Sequence, residues 1–292
     1  MKKKIRTVIS VLLVALCMAT GLSACKKTGF NPDTNVTVVT REDGSGTKSA
    51  VMEMLGLKGK ADVAGALTLS STAAVLTEIK SNSYAIGFES LGYVTDEVKT
   101  LKVNGVEASV ANVKDGSYKL SRPLSIVYKA ETITDGAEKA FFNYLQSSEA
   151  QTIITADGYI STKENPQKYR VISGLSGKID ISGSTSLEPL MIKLAEEFEK
   201  IQSGVEISVG GGGSGTGYKN GENGTSDFGM ISETFKQEKA PGCVSYEVAK
   251  DGIAMIVNKN NTCDNLTMEQ LKAIYNCEAG EEAITKWSQV TD

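Results

Sequence analysis

The sequence predicts an α/β protein of two lobes, on three observations. Short β-branched or apolar strands alternate with helix-period segments along the whole chain. Its 292 residues exceed the usual size of one small domain and favour two. Glycine- and hydroxyl-rich turns lie where strands hand over to helices, which is where open α/β sheets hold their ligands.

Taken in order, residues 1–24 read as a secretory signal. Lys2, Lys3, Lys4 and Arg6 form a basic n-region, an apolar run follows from Val8, and Leu22-Ser23-Ala24 precede Cys25. A cysteine in that place resembles a bacterial lipobox, which implies lipid on Cys25. The other reading, an N-terminal membrane helix, needs a longer apolar run. Residues 25–35 then form the lipidated cysteine and a tether. Val36 to Thr40 is β-branched and reads as a strand, and Gly46 to Leu57 carries helical spacing at Ala50, Val51, Met54 and Leu55. A helix over 72–80, a strand over 84–88 and a strand over 122–130 follow, with Pro123 suited to a strand start. Residues 135–156 predict one long amphipathic helix. The second half repeats the pattern: strand 178–182, helix 187–201, strand 206–209, strand 252–257 and helix 266–275.

Composition excludes several chemistries. Histidine is absent, so Ser-His-Asp hydrolysis and His-ligated zinc are ruled out. Aromatic residues make up only 6% and the formal charge is −4, which argues against a nucleic-acid partner. Of five cysteines, Cys17 falls in the signal and Cys25 is the expected lipid site. Cys243, Cys263 and Cys277 remain, an odd number without a C-x-x-C, so at most one pair forms and a metal site is not indicated.

Three turns carry the candidate chemistry. In 41–50, REDGSGTKSA, backbone N–H groups at Ser45, Gly46 and Thr47 open a helix and converge on an anion, Arg41 offers a bidentate fork, and the Ser45 and Thr47 hydroxyls add donors. The order Gly-Thr-Lys-Ser is not a phosphate-binding Walker loop. The plainer reading is a helix cap beside a surface arginine. GGGGSGTG at 210–217 holds Ser214 among glycines, and reads as a linker or as an anion loop. GSTSL at 183–187 brings Thr185 and Ser186 to a helix start, where capping alone is the commoner use. Asp43 and Asp227 look misplaced beside an anion, unless the anion carries a proton. A carboxylate then accepts the ligand O–H and rejects a fully ionised oxyanion such as sulfate. The alternative for each is a turn residue or a solvated acid.

Together these segments resemble the phosphate-binding protein of bacterial ABC phosphate importers, the PstS family. The matching stretches are DISGSTSLEPL (180–190), VGGGGSGTG (209–217), SDFGMIS (226–232), DGIAMIVN (251–258), NLTMEQLKAIY (265–275), KWSQV (286–290), VVTREDGSGTKSA (38–50), AIGFESLGYV (85–94), LSRPLSIVYK (120–129) and SSEAQTIITADGYI (147–160). The resemblance implies a type II periplasmic-binding-protein-like fold with a ligand cleft between two lobes. It also implies phosphate contacts from Arg41, Asp43, Ser45, Gly46, Thr47, Thr185, Ser186, Ser214 and Asp227, with Asp227 accepting a ligand proton. Ser186 stands where some members have Phe. No enzyme activity and no cofactor are implied. The expected partners are inorganic phosphate and the ABC permease subunits, with the chain a monomer lipid-anchored on the outer side of the membrane. A receptor for another tetrahedral oxyanion, a non-transport phosphate sensor and a phosphate-ester enzyme are the alternatives.

The order of segments departs from the family. The stretch from 178 to KWSQV comes first there and runs into VTREDGSGT; here KWSQV lies near the end and VTREDGSGT near the start. A circular permutation accounts for this, a rearranged or shortened gene being the other reading. Permutation predicts a split lobe, 36–122 plus 251–292, and a continuous lobe, 123–250, with crossover strands near 120–128 and 250–258. It also predicts that residues near 36 and near 290 lie side by side.

Overall fold

The structure, a computed structural model, describes residues 29–290, and every element below belongs to the compact unit Pro32–Asp292. In chain order it begins with β1 (Thr37–Arg41), α1 (Gly46–Met54), β2 (Leu67–Leu69), α2 (Thr72–Ser81) and β3 (Ala85–Ser90). Short β4 (Val98–Thr100), β5 (Lys102–Val103) and α3 (Val110–Lys114) lead to β6 (Ser121–Tyr128). Then come α4 (Gly136–Leu145), α5 (Ser148–Ala156) and β7 (Ile160–Ser161). The last part holds β8 (Gly177–Gly183), α6 (Glu188–Ile201), β9 (Val205–Gly210), α7 (Gly213–Asn223), β10 (Phe228–Ile231), β11 (Val244–Asn258), β12 (Asn265–Leu266) and α8 (Met268–Tyr275). The predicted α/β class is the one observed.

One strand organises the sheet, whose order is β2-β1-β3-β11-β6-β10-β8-β9. The first part of β11, Val244–Gly252, pairs antiparallel with β6; its last part, Ile253–Asn258, pairs antiparallel with β3 and β4. β1, β2 and β3 are mutually parallel on one side of it, and β8, β9 and β10 are parallel on the other. The sequence reading gave this strand only its 252–257 portion, because 244–251 is interrupted by charges and by a register shift between Glu247 and Ala249.

Residues 135–156 form two helices instead of the single one expected. Gln146 closes α4, and the Ser147 side chain accepts the Ala150 N–H to start α5, so a serine cap won over the continuous apolar period. Phe141 and Tyr144 on α4 pack with Phe198 on α6 and Phe228 on β10, all buried, to form the aromatic centre of the larger core.

The glycine run after β9 is a helix, not a linker. α7 lies so close to β10 that a Cβ on Gly217 would collide with the Met230 carbonyl, and one on Gly229 with the Gly217 carbonyl. The glycines thus let a helix touch strand backbone directly. The segments near the two ends of this unit run side by side: Val36 N–H donates to Thr285 O (2.8 Å), Trp287 N–H to Thr34 O (3.3 Å), and Asn35 bridges Lys286. Cys243, Cys263 and Cys277 form no disulfide among the described residues, and no described helix is long and apolar enough to cross a membrane. Cys25 lies outside the described residues.

A buried ion pair sits where β6 meets β11. Arg122 Nε and Nη2 donate to Asp251 Oδ2 (3.3 and 3.1 Å), and both side chains are almost wholly buried. Two stability predictions follow. Gly217→Ala should lower stability by about 2 kcal/mol by urea unfolding despite its better helix propensity, since strain outweighs the ~1 kcal/mol gain. Gly210→Ala, whose Cβ enters open space, should change it by less than ~0.5 kcal/mol. Asp251→Ala should cost about 3–5 kcal/mol by leaving Arg122 buried without its counter-charge, and the double change Arg122→Met, Asp251→Leu should recover most of that.

Candidate functional site

Four helix N-termini meet at one place. Ser45 caps α1 by accepting the Lys48 N–H (3.3 Å), and Ser71 caps α2 by accepting the Ala74 N–H (3.2 Å). Before α6, the Ser184 hydroxyl accepts the N–H groups of Ser186 and Leu187. α7 starts at Gly213, whose φ of 82° follows 128° at Gly212, a turn open to glycine alone. The four ends are tied by direct contacts. Thr47 and Ser186 share a hydroxyl hydrogen bond (2.9 Å), and Thr72 reaches Thr185 (3.2 Å) and, at 3.5 Å, Ser186. Gly215 N–H donates to Gly44 O (2.9 Å). Gly46 lies so near Ser214 and Ser232 that a Cβ there would sit 2.7 Å from the Ser232 hydroxyl. Each N-terminus contributes roughly half a positive charge, so their convergence is a ready anion site.

Arg41 closes one wall from the end of β1. It is buried, with Nε on Leu69 O (3.1 Å) and Nη2 on Ser70 O (3.1 Å) and Thr185 Oγ1 (3.2 Å). Burial pulls its pKa down, while Glu89 and Glu42 favour the charge. On the other wall the Ser214 hydroxyl, fully buried, accepts the Ser232 N–H (3.0 Å) and meets the Ser232 hydroxyl at 3.3 Å.

Of the residues singled out from the sequence, Arg41, Ser45, Gly46, Thr47, Thr185, Ser186 and Ser214 are brought together. The two aspartates are not. The Asp43 side chain is fully exposed and pairs with Lys48 (3.0 Å), because the turn at Gly44 (φ 94°) directs it outward. Asp227 precedes β10 and accepts the Asp180 N–H (2.8 Å). Ser232 follows the far end of that strand, about 16 Å along an extended chain. Neither carboxylate is placed to read a ligand proton. Thr72 and Ser232 are members that the sequence reading missed. SSTAA at 70–74 follows a strand and opens a helix with hydroxyls, the same pattern as the other turns, and was the signal for Thr72.

A second polar group spans α1 and the segment after β10. Glu233, buried, takes Lys236, Lys239 (2.7 Å) and the Ser49 hydroxyl, while Lys236 also donates to Ser49 (2.9 Å). Outside it, Asp43, Lys48, Lys60, Asp62 and Lys239 border a cavity of about 640 Å³. Among the described residues no cluster of His, Cys, Asp and Glu is placed to hold a metal.

Comparison with known proteins places the chain in a family. The PBP superfamily domain matches residues 23–149 and 171–292. Phosphate-binding protein PstS 2 of Streptococcus agalactiae serotype V is 34% identical over 294 residues, covering 97% of this chain and 98% of its own. PstS 2 of Streptococcus pneumoniae serotype 4 is 34% identical over 262 residues, covering 87% of each. Among solved structures, a phosphate-binding protein of a phosphate ABC transporter from Streptococcus pneumoniae TIGR4 superposes with a TM-score of 0.70 at 32% identity, over 88% of this chain and 100% of that one. The chain therefore belongs to the PBP superfamily and, within it, to the PstS family of phosphate-binding proteins.

Proposed function

We propose that this chain captures inorganic phosphate outside the cytoplasm and delivers it to the permease of an ABC importer. The observation that carries the reading is the convergence of four helix N-termini, Arg41 and the hydroxyls of Thr47, Thr72, Thr185, Ser186 and Ser214 on one buried point. The threonine and serine hydroxyls bond one another there, and an entering oxyanion exchanges those neutral bonds for charge-assisted ones. Micromolar affinity needs about −8 kcal/mol, within reach of such an array. The chain acts by binding and release, with no covalent chemistry and no cofactor.

The binding motion is a hinge at β6 and β11, between a split lobe, 36–122 plus 251–292, and a continuous lobe, 123–250. Sheet pairing supports this division, since β11 joins strands of one set along Val244–Gly252 and of the other along Ile253–Asn258. The ties between Thr47 and Ser186, and between Ser49 and Glu233, belong to the closed arrangement. The pairing of 34–36 with 285–287 supports a chain order circularly permuted from that of the wider family, an order the PstS 2 relatives share because they align with this chain from end to end. Lipid on Cys25 anchors a monomeric receptor at the membrane.

Calorimetry on the domain from residue 26 onward tests the reading. Phosphate should bind with micromolar or better affinity. Arg41→Lys, which keeps charge but loses the fork, should weaken it about 10- to 100-fold, and Thr47→Val about tenfold. Sulfate binding as tight as phosphate would make this a general oxyanion receptor; no binding of either by folded protein would overturn the reading. Cys25→Ser should move the full-length protein from the membrane fraction to the soluble one, and unchanged fractionation would refute the lipid anchor.

A further inference from the structure

Behind Arg41 lies a carboxylate that none of the loop motifs includes. Glu89, the last residue but one of β3, is wholly buried and has Oε1 on the Ser90 N–H (2.8 Å), while Oε2 has no hydrogen-bond partner. β1 and β3 are parallel with Thr37 opposite Ala85 and Val38 opposite Ile86, a register that carries Arg41 alongside Glu89. Side chains alternate along a strand, so Glu89 shares the face of Gly87, which packs on Val75 and Ile79 of α2. That helix begins with Thr72, which touches Thr185 and Ser186.

The charges facing Glu89 come from three strands: Arg41 on β1, Arg122 on β6 and Asp251 on β11. The helices add none, for the buried residues of α1 are Gly46, Thr47, Val51 and Met52, and those of α2 are Thr72, Val75, Leu76 and Ile79. With Glu89 ionised this group is two cations against two anions, and neutral. The four helix N-termini offset part of a phosphate dianion placed against Arg41, and its remaining charge favours the protonated form of a nearby carboxylate. Each carboxylate has one buried oxygen without a hydrogen-bond partner, Glu89 Oε2 and Asp251 Oδ1, but Asp251 is held ionised by two guanidinium N–H groups from Arg122, whereas Glu89 receives only one backbone N–H and is the one to carry a proton.

We propose that Glu89 takes up a proton as the anion binds, making it the positioning residue that ties oxyanion affinity to pH. This rests on the anion-binding reading above. Burial already pushes its carboxyl up to about 7, opposed by the Ser90 N–H and the two arginines, so the free protein is poised near neutrality. The bound anion raises it further. Binding therefore carries no protonation cost below pH about 7, where Glu89 already holds its proton, and weakens as pH rises above it.

The experiment is phosphate titration of wild type, Glu89→Gln and Glu89→Asp from pH 6 to 9, with proton uptake measured calorimetrically in two buffers of different ionisation heat. The ionisation of phosphate itself is common to all three and cancels in their ratio. The ratio of wild-type to Glu89→Gln Kd should rise roughly tenfold from pH 6 to pH 8. Wild type should take up close to one proton more than Glu89→Gln at pH 8, and Glu89→Asp should restore the pH dependence. A constant ratio with equal proton uptake overturns the proposal while leaving phosphate binding intact. No phosphate binding by wild type at any pH overturns the reading beneath it and the proposal together. Carboxyl-carbon NMR of Glu89 in wild type serves even if the glutamine variant fails to fold: its titration midpoint should rise on adding phosphate, and an unchanged midpoint refutes the idea.

Discussion

Four helices aimed at one buried point create an electrostatic demand that much of the structure serves. Their N-termini add to the charges of Arg41 and Arg122 in a volume that excludes water, where like charges are expensive. The sheet beneath answers with Glu89 and Asp251. The hydroxyls of Thr47, Thr72, Thr185 and Ser186 satisfy one another, so the donors wait without leaving buried polar atoms unpaired. Glycine is needed at Gly46 and along α7 because helix ends can converge this tightly only where backbone meets backbone.

The same atoms connect this point to the strand crossing. Arg122 Nη1 donates to Ser232 O (3.2 Å), the Ser232 N–H donates to Ser214 Oγ, and Ser214 abuts Gly46. The guanidinium that neutralises Asp251 on β11 thus also fixes the wall of the site. Replacing the pair by apolar residues satisfies the fold but not that carbonyl, a physical reason for a buried ion pair where a hydrophobic contact would stabilise as well.

Much of this was legible in the sequence because strand, turn and helix start leave a local pattern. REDGSGT and GSTSL announced Arg41, Thr47, Thr185 and Ser186, and the elements around them fall within a few residues of their predicted spans. What was illegible depends on pairing. β10 is four buried residues, too short for periodicity to show, and the full length of β11 emerges only from its two sets of partners. Glu89 reads as an ordinary acid until β1 and β11 bury it on either side. Asp43 and Asp227 lie apart from the cluster for the converse reason: proximity in sequence to a good motif does not say which way a turn directs a side chain, nor which end of a strand a residue occupies.

With both aspartates outside the cluster, selectivity has to be reached differently. Hydroxyls and backbone N–H groups donate to any tetrahedral oxyanion and do not count its protons. A carboxylate that touches the ligand would reject an unprotonated one through an unpaired acceptor. A carboxylate behind the arginine acts instead through charge, and it opposes a dianion until one proton is taken up by either partner. Above pH about 7, where Glu89 is ionised in the free protein, phosphate can lessen its own charge by keeping a second proton and sulfate cannot. The buried balance of Arg41, Arg122, Glu89 and Asp251 is thus able to favour a protonated oxyanion from beneath the site, without any carboxylate at its rim.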